Sequence, residues 1–535
     1  MSGGRDWTAA AAREAVAALA QAAGPHPAVW LTDRTIATTA VGAGYRPEPK
    51  PLVLPLASGT RLTGTETELL IYDAWSGLDP DGFGAATGAL RGGGLLLLLT
   101  PPLEAWPDLP DPQAARIAVW PHEAESLERR FQRRFARVLL NAAGVTLVCE
   151  GAPLPSTPAA RASSVADSRP PMAEPDPGTP ATPDQRAAIE AILHLARGRA
   201  HRPLVLTAHR GRGKSAALGM AAARLVAAGC RSILVTAPRL DACESLFRHF
   251  DLTRAALADP AAPSLDPAGS VRFLAPDDLC QNRPQADLLL VDEAAGIPAP
   301  LLASLLDHYP RLCFATTVHG YEGTGRGFEV RFREVLDRRT PLWRRLSLED
   351  PIRWSAGDPL EALVFRALLL DASPAELEPS RRARLMDATE LVRLDRDALT
   401  ENESTLRQIF GLLVLAHYQT RPLDLRMLLD GPNIRVYCLR QGAQVLATLL
   451  AAEEGGVESE ELRQAIFRGD RRPRGHLLPQ TLSAHWGLPE APALRYLRVV
   501  RIAVHPALTR QGLGTRLLRG LALDGHRGPF DLAGA

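Results

Sequence analysis

The sequence has almost no lysine. Of 61 Lys and Arg residues only Lys50 and Lys214 are lysines, and the other 59 are arginine. Net charge is nearly absent too, at +1, which neither supports nor excludes nucleic-acid binding because basic patches can be local. The six cysteines form no CxxC pair, which argues against a zinc site or a disulfide framework. Their apolar surroundings read as buried free thiols in a reducing compartment. The N-terminal MSGGRDWTAAAAREAV has no signal-peptide core, and the run Leu95–Leu99 is far too short to span a bilayer. No tandem repeat of 20–50 residues is present. These absences leave a cytoplasmic protein with no membrane association. Its 535 residues, 46% hydrophobic and 23% charged, suffice for two to four domains and exclude a mini-protein, a collagen-like chain and a wholly disordered one. The lysine scarcity also works as a filter: a lysine that survives the bias marks a position where chemistry demands it.

Residues 1–150 alternate helical and strand-like stretches. Ala9–Ala23 reads as an Ala-rich helix, and Leu69–Trp75 and Gly92–Pro102 as short buried strands of a parallel sheet. The helix predicted over Leu127–Leu140 puts Phe131, Phe135 and Leu139 on one stripe. Arg129, Arg130, Arg133, Arg134 and Arg137 take much of the rest, either as a solvated face or as a surface for RNA phosphates. Residues 151–181, rich in Pro, Ala and Ser, form a linker. A second α/β segment runs to about residue 355. A mainly helical stretch follows, including Pro359–Asp371 and Pro379–Val392. From about 404 the pattern is helix, strand, strand, helix, strand, helix.

Pro203–Ala227 reads as strand, Gly-rich loop, helix. Ala208 stands where the GxxxxGK[ST] pattern has its first glycine, yet the physical demands are met. Gly211 and Gly213 let backbone N–H groups approach phosphates at a helix N-terminus. Lys214 reaches the β- and γ-phosphates, and the Ser215 hydroxyl can ligate Mg²⁺. The ATP cradle is thus Arg210, Gly211, Arg212, Gly213, Lys214, Ser215 and Ala216, and one of the two lysines falls on its key position. DLLLVDEAAGIPAP ends a buried strand on Asp292-Glu293. Asp292 would hold Mg²⁺, and Glu293 would orient or deprotonate the attacking water. Gln185, in Thr182-Pro-Asp-Gln185, stands where many helicase-like ATPases place an adenine-reading amide, and it also completes a plain capping box.

Leu494–Leu523 gives strand, loop, helix, with exposed N–H groups over Arg510-Gln511-Gly512-Leu513-Gly514-Thr515 where a pyrophosphate fits. Preceded by IAVHP and followed by TRLLRGLAL, it resembles the acyl-CoA loop of GNAT N-acetyltransferases. That resemblance implies main-chain contacts from Ile502, Ala503 and Val504 to the acetyl and pantetheine arm of acetyl-CoA. It also implies pyrophosphate contacts from Thr509 to Thr515; Thr509 stands where the family usually has Gln or Arg. Leu517, Leu518 and Leu521 read as core, and His505 as a bend closing the strand rather than a base.

FATTVHGYEGTGRGF (314–328), LEDPIRW (348–354), FGLLVLAHYQTRPLDLRMLLDGP (410–432) and RGHLLPQTL (474–482) all resemble stretches of the bacterial tRNA(Met) cytidine acetyltransferases, as does GTETELLIYDAWSGLDPDGFGAATGALRGGGLLLLLTPP near the N-terminus. The resemblance implies N4-acetylation of the wobble cytidine of elongator tRNA(Met) with acetyl-CoA and ATP. It places Arg353, and Arg326 as a second candidate, near the nucleotide phosphates. It implies tRNA as partner and no stable protein partner.

The expected fold is α/β and multidomain. It comprises an N-terminal α/β domain (1–150), the linker (151–181), a P-loop helicase-like ATPase domain (182–355), a helical connector (356–403) and a GNAT-like α+β domain (404–535). That last domain ends directly after the loop's helix and is expected to be C-terminally incomplete. Arg468, Arg471, Arg472 and Arg474 form a basic loop that either lines an RNA path or is merely solvated. A helicase-type ATPase without acetyl transfer and a non-catalytic tRNA-binding protein are the competing readings.

Overall fold

Runs of leucine, valine and isoleucine bounded by turn residues build three sheets in the computed structural model. It describes residues 1–24, 26–34, 51–62, 65–155, 178–257, 271–317, 326–377, 389–416 and 420–527. Lys50 and most of the expected linker, residues 156–177, lie outside the described residues.

The first sheet is parallel, in the order β2-β1-β3-β4, from β1 (Ala28–Leu31), β2 (Leu52–Leu54), β3 (Thr67–Asp73) and β4 (Leu90–Leu99). The helix Arg5–Ala23 covers one face, over a small cluster that includes Trp30, Ile71 and Leu99. β3 is buried almost throughout, as its unbroken apolar run requires. β4 is not: Arg91, Gly92, Gly93 and Leu95 are exposed, so the strand expected to be buried is half open.

The second sheet is also parallel, in the order β10-β5-β9-β8-β6-β7. Its strands are β5 (Leu204–Ala208), β6 (Ile233–Thr236), β7 (Val271–Phe273), β8 (Leu288–Val291), β9 (Leu312–Thr317) and β10 (Arg344–Leu348). Helices cover both faces and give it two apolar clusters, one under the helix Lys214–Ala227 and one under Ala299–His308. The third sheet is antiparallel, β11-β12-β13-β14, from β11 (Glu390–Leu394), β12 (Ile434–Gln441), β13 (Gln444–Gly455) and β14 (Arg495–Val504).

Several expectations change. Within Pro379–Val392, read as helix, residues 390–392 belong to β11, and 378–388 lie outside the described residues. The third sheet therefore takes its first strand from the stretch 356–403 that was expected to be a helical connector. Of the six free cysteines only Cys243, Cys313 and Cys438 are buried, while Cys149 is exposed.

The arginine-rich helix, Arg130–Leu140, is neither a solvated face nor an open phosphate surface. Phe131 and Phe135 enter the core, but so does Arg134, which is fully buried. Arg130 grips Asp397 through Nε (2.9 Å) and Nη2 (2.8 Å), and Arg137 pairs with Glu401. These carboxylates lie on the helix Arg396–Glu401, so the arginine face is an internal clasp between distant parts of the chain.

That clasp sits beside the largest apolar cluster. Phe83, Trp106, Phe131 and Phe135 pack there with Leu363, Val364 and Leu368, with Leu406, Ile409 and Leu413, and with Leu425 and Leu428. Among the described residues, no fully buried residue between 140 and 362 belongs to it, and only the half-buried Ala142 and Leu360 from that span pack against it. The first and third sheets thus share one core, and the second sheet folds around its own.

Candidate functional site

The parallel strands of the second sheet deliver their C-terminal ends to one side, where ligands of open α/β sheets bind. β5 is flanked by β9 and β10, so its end is central, and the chain turns there through Gly211 (φ +77°) and Gly213 (φ +76°) into the helix Lys214–Ala227. Both glycines hold left-handed backbone that side chains resist. Gly213 is the N-cap and no side chain caps the helix, which leaves its first N–H groups to a ligand. That is the fit expected for nucleotide phosphates.

Lys214 is buried and donates to Glu293 Oε1 at 3.1 Å and to Thr317 Oγ1 at 2.8 Å. Asp292 follows β8, fully buried; its Oδ1 accepts the Glu293 N–H at 2.9 Å, and its Oδ2 has no hydrogen-bond partner. Burial, reinforced by the Glu293 charge, raises the Asp292 carboxyl, with Lys214 and Ser215 pulling the other way. An unpartnered buried carboxylate oxygen beside the Ser215 hydroxyl fits a divalent cation. No group of three or more His, Cys, Asp or Glu that could hold a metal ion is present among the described residues. A cation at Asp292 and Ser215 would therefore need phosphate oxygens and water to complete its shell, as Mg²⁺ usually does. For Glu293, burial pushes the carboxyl upward, but Lys214 and Thr317 outweigh it and hold it below the usual range.

The other expected nucleotide residues support the loop. Gln185 is buried, accepts from the Ala181 N–H (2.7 Å) and donates to the Gly213 carbonyl at 3.3 Å; Thr182 caps its helix. Its amide thus bridges the helix entry and the phosphate loop. Arg212 is buried and donates to the carbonyls of Glu349 (3.0 Å) and Arg210 (3.1 Å), pairs with Glu361 at 2.9 Å and lies over the Trp354 ring. Ala216 is buried, and Arg210 contributes favourable charge at Glu293.

Sequence reasoning treated PIRW only as a source of Arg353, but the segment is a strap. The Ile352 N–H donates to the Gly211 carbonyl at 2.9 Å, and the Trp354 ring lies against Gly211. Arg353 places its backbone at the loop, while its guanidinium donates to the Gly88 carbonyl and faces Glu66 at 3.6 Å, both in the first sheet's unit. The Gly92 N–H donates to the Arg353 carbonyl at 2.8 Å. Residues 318–325 and the Arg326 side chain lie outside the described residues. Thr317 was missed altogether.

In the third sheet β14 is the outer strand, so alternate backbone groups face away from β13. Its register slips at Val500, because Leu450 pairs with Arg501 but Ala451 with Val499. A bulge of this kind bends a strand and re-aims its backbone. Ile502, Ala503 and Val504 close the strand, with Ala503 buried. His505 is buried with both ring nitrogens engaged, by the Ala375 carbonyl (2.9 Å) and the Ala507 N–H (3.2 Å), as a strand-closing bend requires.

Beyond it, Thr509, Arg510 and Gln511 are exposed, and Arg510 (φ +63°) and Gly512 (φ +80°) alternate left-handed with their neighbours before the helix Leu513–Arg527. Such alternation turns successive N–H groups inward to an anion. Gly514 and Thr515 lie in the helix's first turn, Gly514 close to Val504. Leu513, Leu517 and Leu521 enter the core, but Leu518, expected there, is 45% exposed. The basic loop divides: Arg474 donates to the Ala115 carbonyl (2.7 Å) and Arg468 binds Asp470. The side chains of Arg471 and Arg472 make no ion pair or hydrogen bond among the described residues.

Comparison with known proteins covers each of these units. Residues 1–150 match the family described as tRNA(Met) cytidine acetyltransferase TmcA, N-terminal. Residues 205–371 match RNA cytidine acetyltransferase NAT10/TcmA, helicase domain, and 408–524 match GNAT acetyltransferase 2. The tRNA(Met) cytidine acetyltransferase TmcA of Nitrosococcus halophilus is 51% identical over 522 residues, covering 97% of this chain and 67% of that protein. Those of Haloarcula marismortui and Vibrio cholerae are 39% and 37% identical, over 85% and 88% of this chain and 60% of each relative. The chain thus spans about two thirds or less of their length. No helix among the described residues is long and apolar enough to cross a membrane. With the phosphate loop, the acidic strand end and the bulged outer strand all on matched segments, the chain belongs to the tRNA(Met) cytidine acetyltransferase TmcA family.

Proposed function

We propose that the chain works in ATP-dependent acetylation of RNA, transferring acetyl from acetyl-CoA to N4 of the wobble cytidine of elongator tRNA(Met) to give N4-acetylcytidine. The observation that carries this reading is the coexistence, in one chain aligned with such an enzyme over 97% of its length, of a phosphate loop and a bulged acetyl-CoA-type strand. The working units are the first sheet's domain (1–150), the ATPase (182–355) and the acetyltransferase (from 404, with β11 added), in a cytoplasmic protein.

At the ATPase, Gln185, Arg210, Gly211, Arg212, Gly213, Lys214, Ser215, Ala216 and Arg353 form the nucleotide site. Ser215 and Asp292 would hold Mg²⁺, which would supply charge neutralisation at the phosphates. Lys214 balances phosphate charge, and Glu293, kept ionised, accepts a proton from the attacking water. The free energy released would remodel a structured tRNA, in which unstacking a base costs roughly a few kcal/mol.

At the acetyltransferase, Ile502, Ala503 and Val504 align the thioester arm, and Thr509, Arg510, Gln511, Gly512, Leu513, Gly514 and Thr515 hold the pyrophosphate. The cytosine amine is conjugated with its ring and a poor nucleophile, so alignment supplies much of the rate. The Val504 N–H donates to the developing oxyanion. His505, with both nitrogens bound to backbone, is not the base.

The test is incubation with tRNA(Met), acetyl-CoA and ATP, followed by nucleoside mass spectrometry. N4-acetylcytidine that requires both small molecules supports the reading. ATP turnover without it leaves a helicase-type ATPase, and tRNA binding without either leaves a binding protein.

A further inference from the structure

The residue that sequence reasoning missed sits at the centre of the ATPase. Thr317 is the last residue of β9 and pairs in register with Ala208, the last of β5, so it stands beside the start of the phosphate loop. Its Oγ1 lies 2.8 Å from Lys214 Nζ and 3.0 Å from each oxygen of Glu293. A hydroxyl has one hydrogen and two acceptor sites, whereas an ammonium only donates and a carboxylate only accepts. The assignment of the protons is therefore forced: Lys214 donates to Thr317, and Thr317 donates to Glu293. Its single hydrogen is shared between the two carboxylate oxygens.

Glu293 needs such support. Its backbone is left-handed (φ +42°, ψ +47°), an uncommon state for glutamate, and its side chain is 29% exposed beside Lys214. Lys214 cannot hold it alone through a catalytic cycle, because phosphates will compete for the same ammonium. Thr317 belongs to a strand flanked on both sides, by β5 and β8, rather than to the phosphate loop.

We propose that Thr317 is the positioning residue of the ATPase: its hydroxyl fixes the Glu293 carboxylate as acceptor for the attacking water while Lys214 turns to the phosphates. This rests on the ATPase reading above and deepens it. The neighbouring Thr316 faces the opposite side of β9 and does not share the role. Its hydroxyl is buried without a partner.

Thr317→Val keeps the shape and removes the hydroxyl; Thr317→Ser keeps the hydroxyl. The test measures ATP turnover of the full chain with Mg²⁺ and tRNA, alongside ATP affinity and thermal unfolding. A hydrogen bond to a charged group of this strength corresponds to about 10- to 100-fold in rate. Thr317→Val is expected to lose about that much in kcat, with KM for ATP changed less than about twofold. Thr317→Ser restores the rate.

A Thr317→Val kcat within about twofold of wild type overturns the proposal. So does a loss that Thr317→Ser shares, or one carried by KM for ATP rather than by kcat. Lys214→Ala is the separate control: if it retains full turnover, the ATPase reading itself fails, whatever Thr317 does.

Discussion

Arg134 holds Glu403 by two parallel bonds, Nε to Oε2 at 2.9 Å and Nη2 to Oε1 at 2.6 Å. It also donates hydrogen bonds to the carbonyls of Arg366 (2.7 Å) and Ala367 (2.6 Å). The guanidinium has no exposed surface, and only a planar fork could satisfy three backbone and side-chain partners from one buried point. Arg134→Ala would strand these acceptors and is expected to destabilise the clasp by about 3–5 kcal/mol. Arg134→Lys should recover little. Hydrogen exchange over residues 130–140 and 396–406 reports the loss directly, without assuming that the whole chain unfolds in one step.

Two positive-φ glycines should respond differently to a methyl group. At Gly213 a Cβ would come within 2.4 Å of Ile352 Cδ1 and 2.7 Å of Gln185 Nε2, in addition to the left-handed strain. Gly213→Ala is expected to weaken ATP binding at least about tenfold, combining roughly 1–2 kcal/mol of strain with displacement of both neighbours. At Gly512 nothing lies within 4 Å, so Gly512→Ala carries the strain alone and should weaken acetyl-CoA binding by less. Calorimetric titration of each variant with each ligand distinguishes the two.

The interface between the first sheet's unit and the helix Pro422–Asp430 carries a pH dependence. Burial lifts the Asp81 carboxyl to about 6 against the pull of the Leu423 amide, and lifts Asp430 to about 7 against the pull of Arg426. Such acids stay protonated in the folded protein where the unfolded chain has already ionised. Their cost is absent below the unfolded value near 4 and grows as pH rises, until it is complete above about 7. The double variant Asp81→Asn, Asp430→Asn should therefore gain stability relative to wild type between pH 5 and 8, by roughly 1–3 kcal/mol at the upper end. Melting temperatures across that range check the sign: a difference independent of pH would contradict it.

The basic loop yields a sharper test than its composition suggested. Arg471 and Arg472 are the members free to meet phosphates, whereas Arg474 braces the loop on Ala115. Reversing both should weaken tRNA binding and lower its logarithmic salt slope by about 1.4, twice the single-strand value per phosphate. Arg474→Glu should instead disturb the contact with Ala115. An unchanged slope in the double reversal returns the pair to ordinary solvated arginines.

What could be read in the sequence was local. The phosphate loop depends on glycines and a lysine within five positions, and the acetyl-CoA-type loop on a similarly short span, so both were visible despite Ala208 and Thr509. Thr317 was invisible for the opposite reason. A threonine ending a strand is commonplace, and only the strand order, which puts β9 beside β5, brings it to Lys214. The arginine helix failed in a third way. Periodicity showed which residues share its face, but their acidic partners lie more than 260 positions later, and nothing nearby distinguishes solvent, RNA and buried carboxylate. The strap over Gly211 shows in the sequence only through Arg353, because backbone donors such as the Ile352 N–H leave no mark in composition.

The shared core of the first and third sheets also has a consequence in time. Arg134 and Glu403 are 269 residues apart, so at 5–20 residues per second the second is synthesised roughly 13–54 s after the first. During that interval the helix 130–140 has emerged with Phe131 and Phe135 lacking the later half of their packing, while the intervening ATPase can already fold around its own clusters. The four arginines that later meet carboxylates, Arg130, Arg133, Arg134 and Arg137, are, in that nascent chain, a dense positive charge beside an apolar stripe. They keep an unfinished surface soluble until the acids that neutralise it arrive.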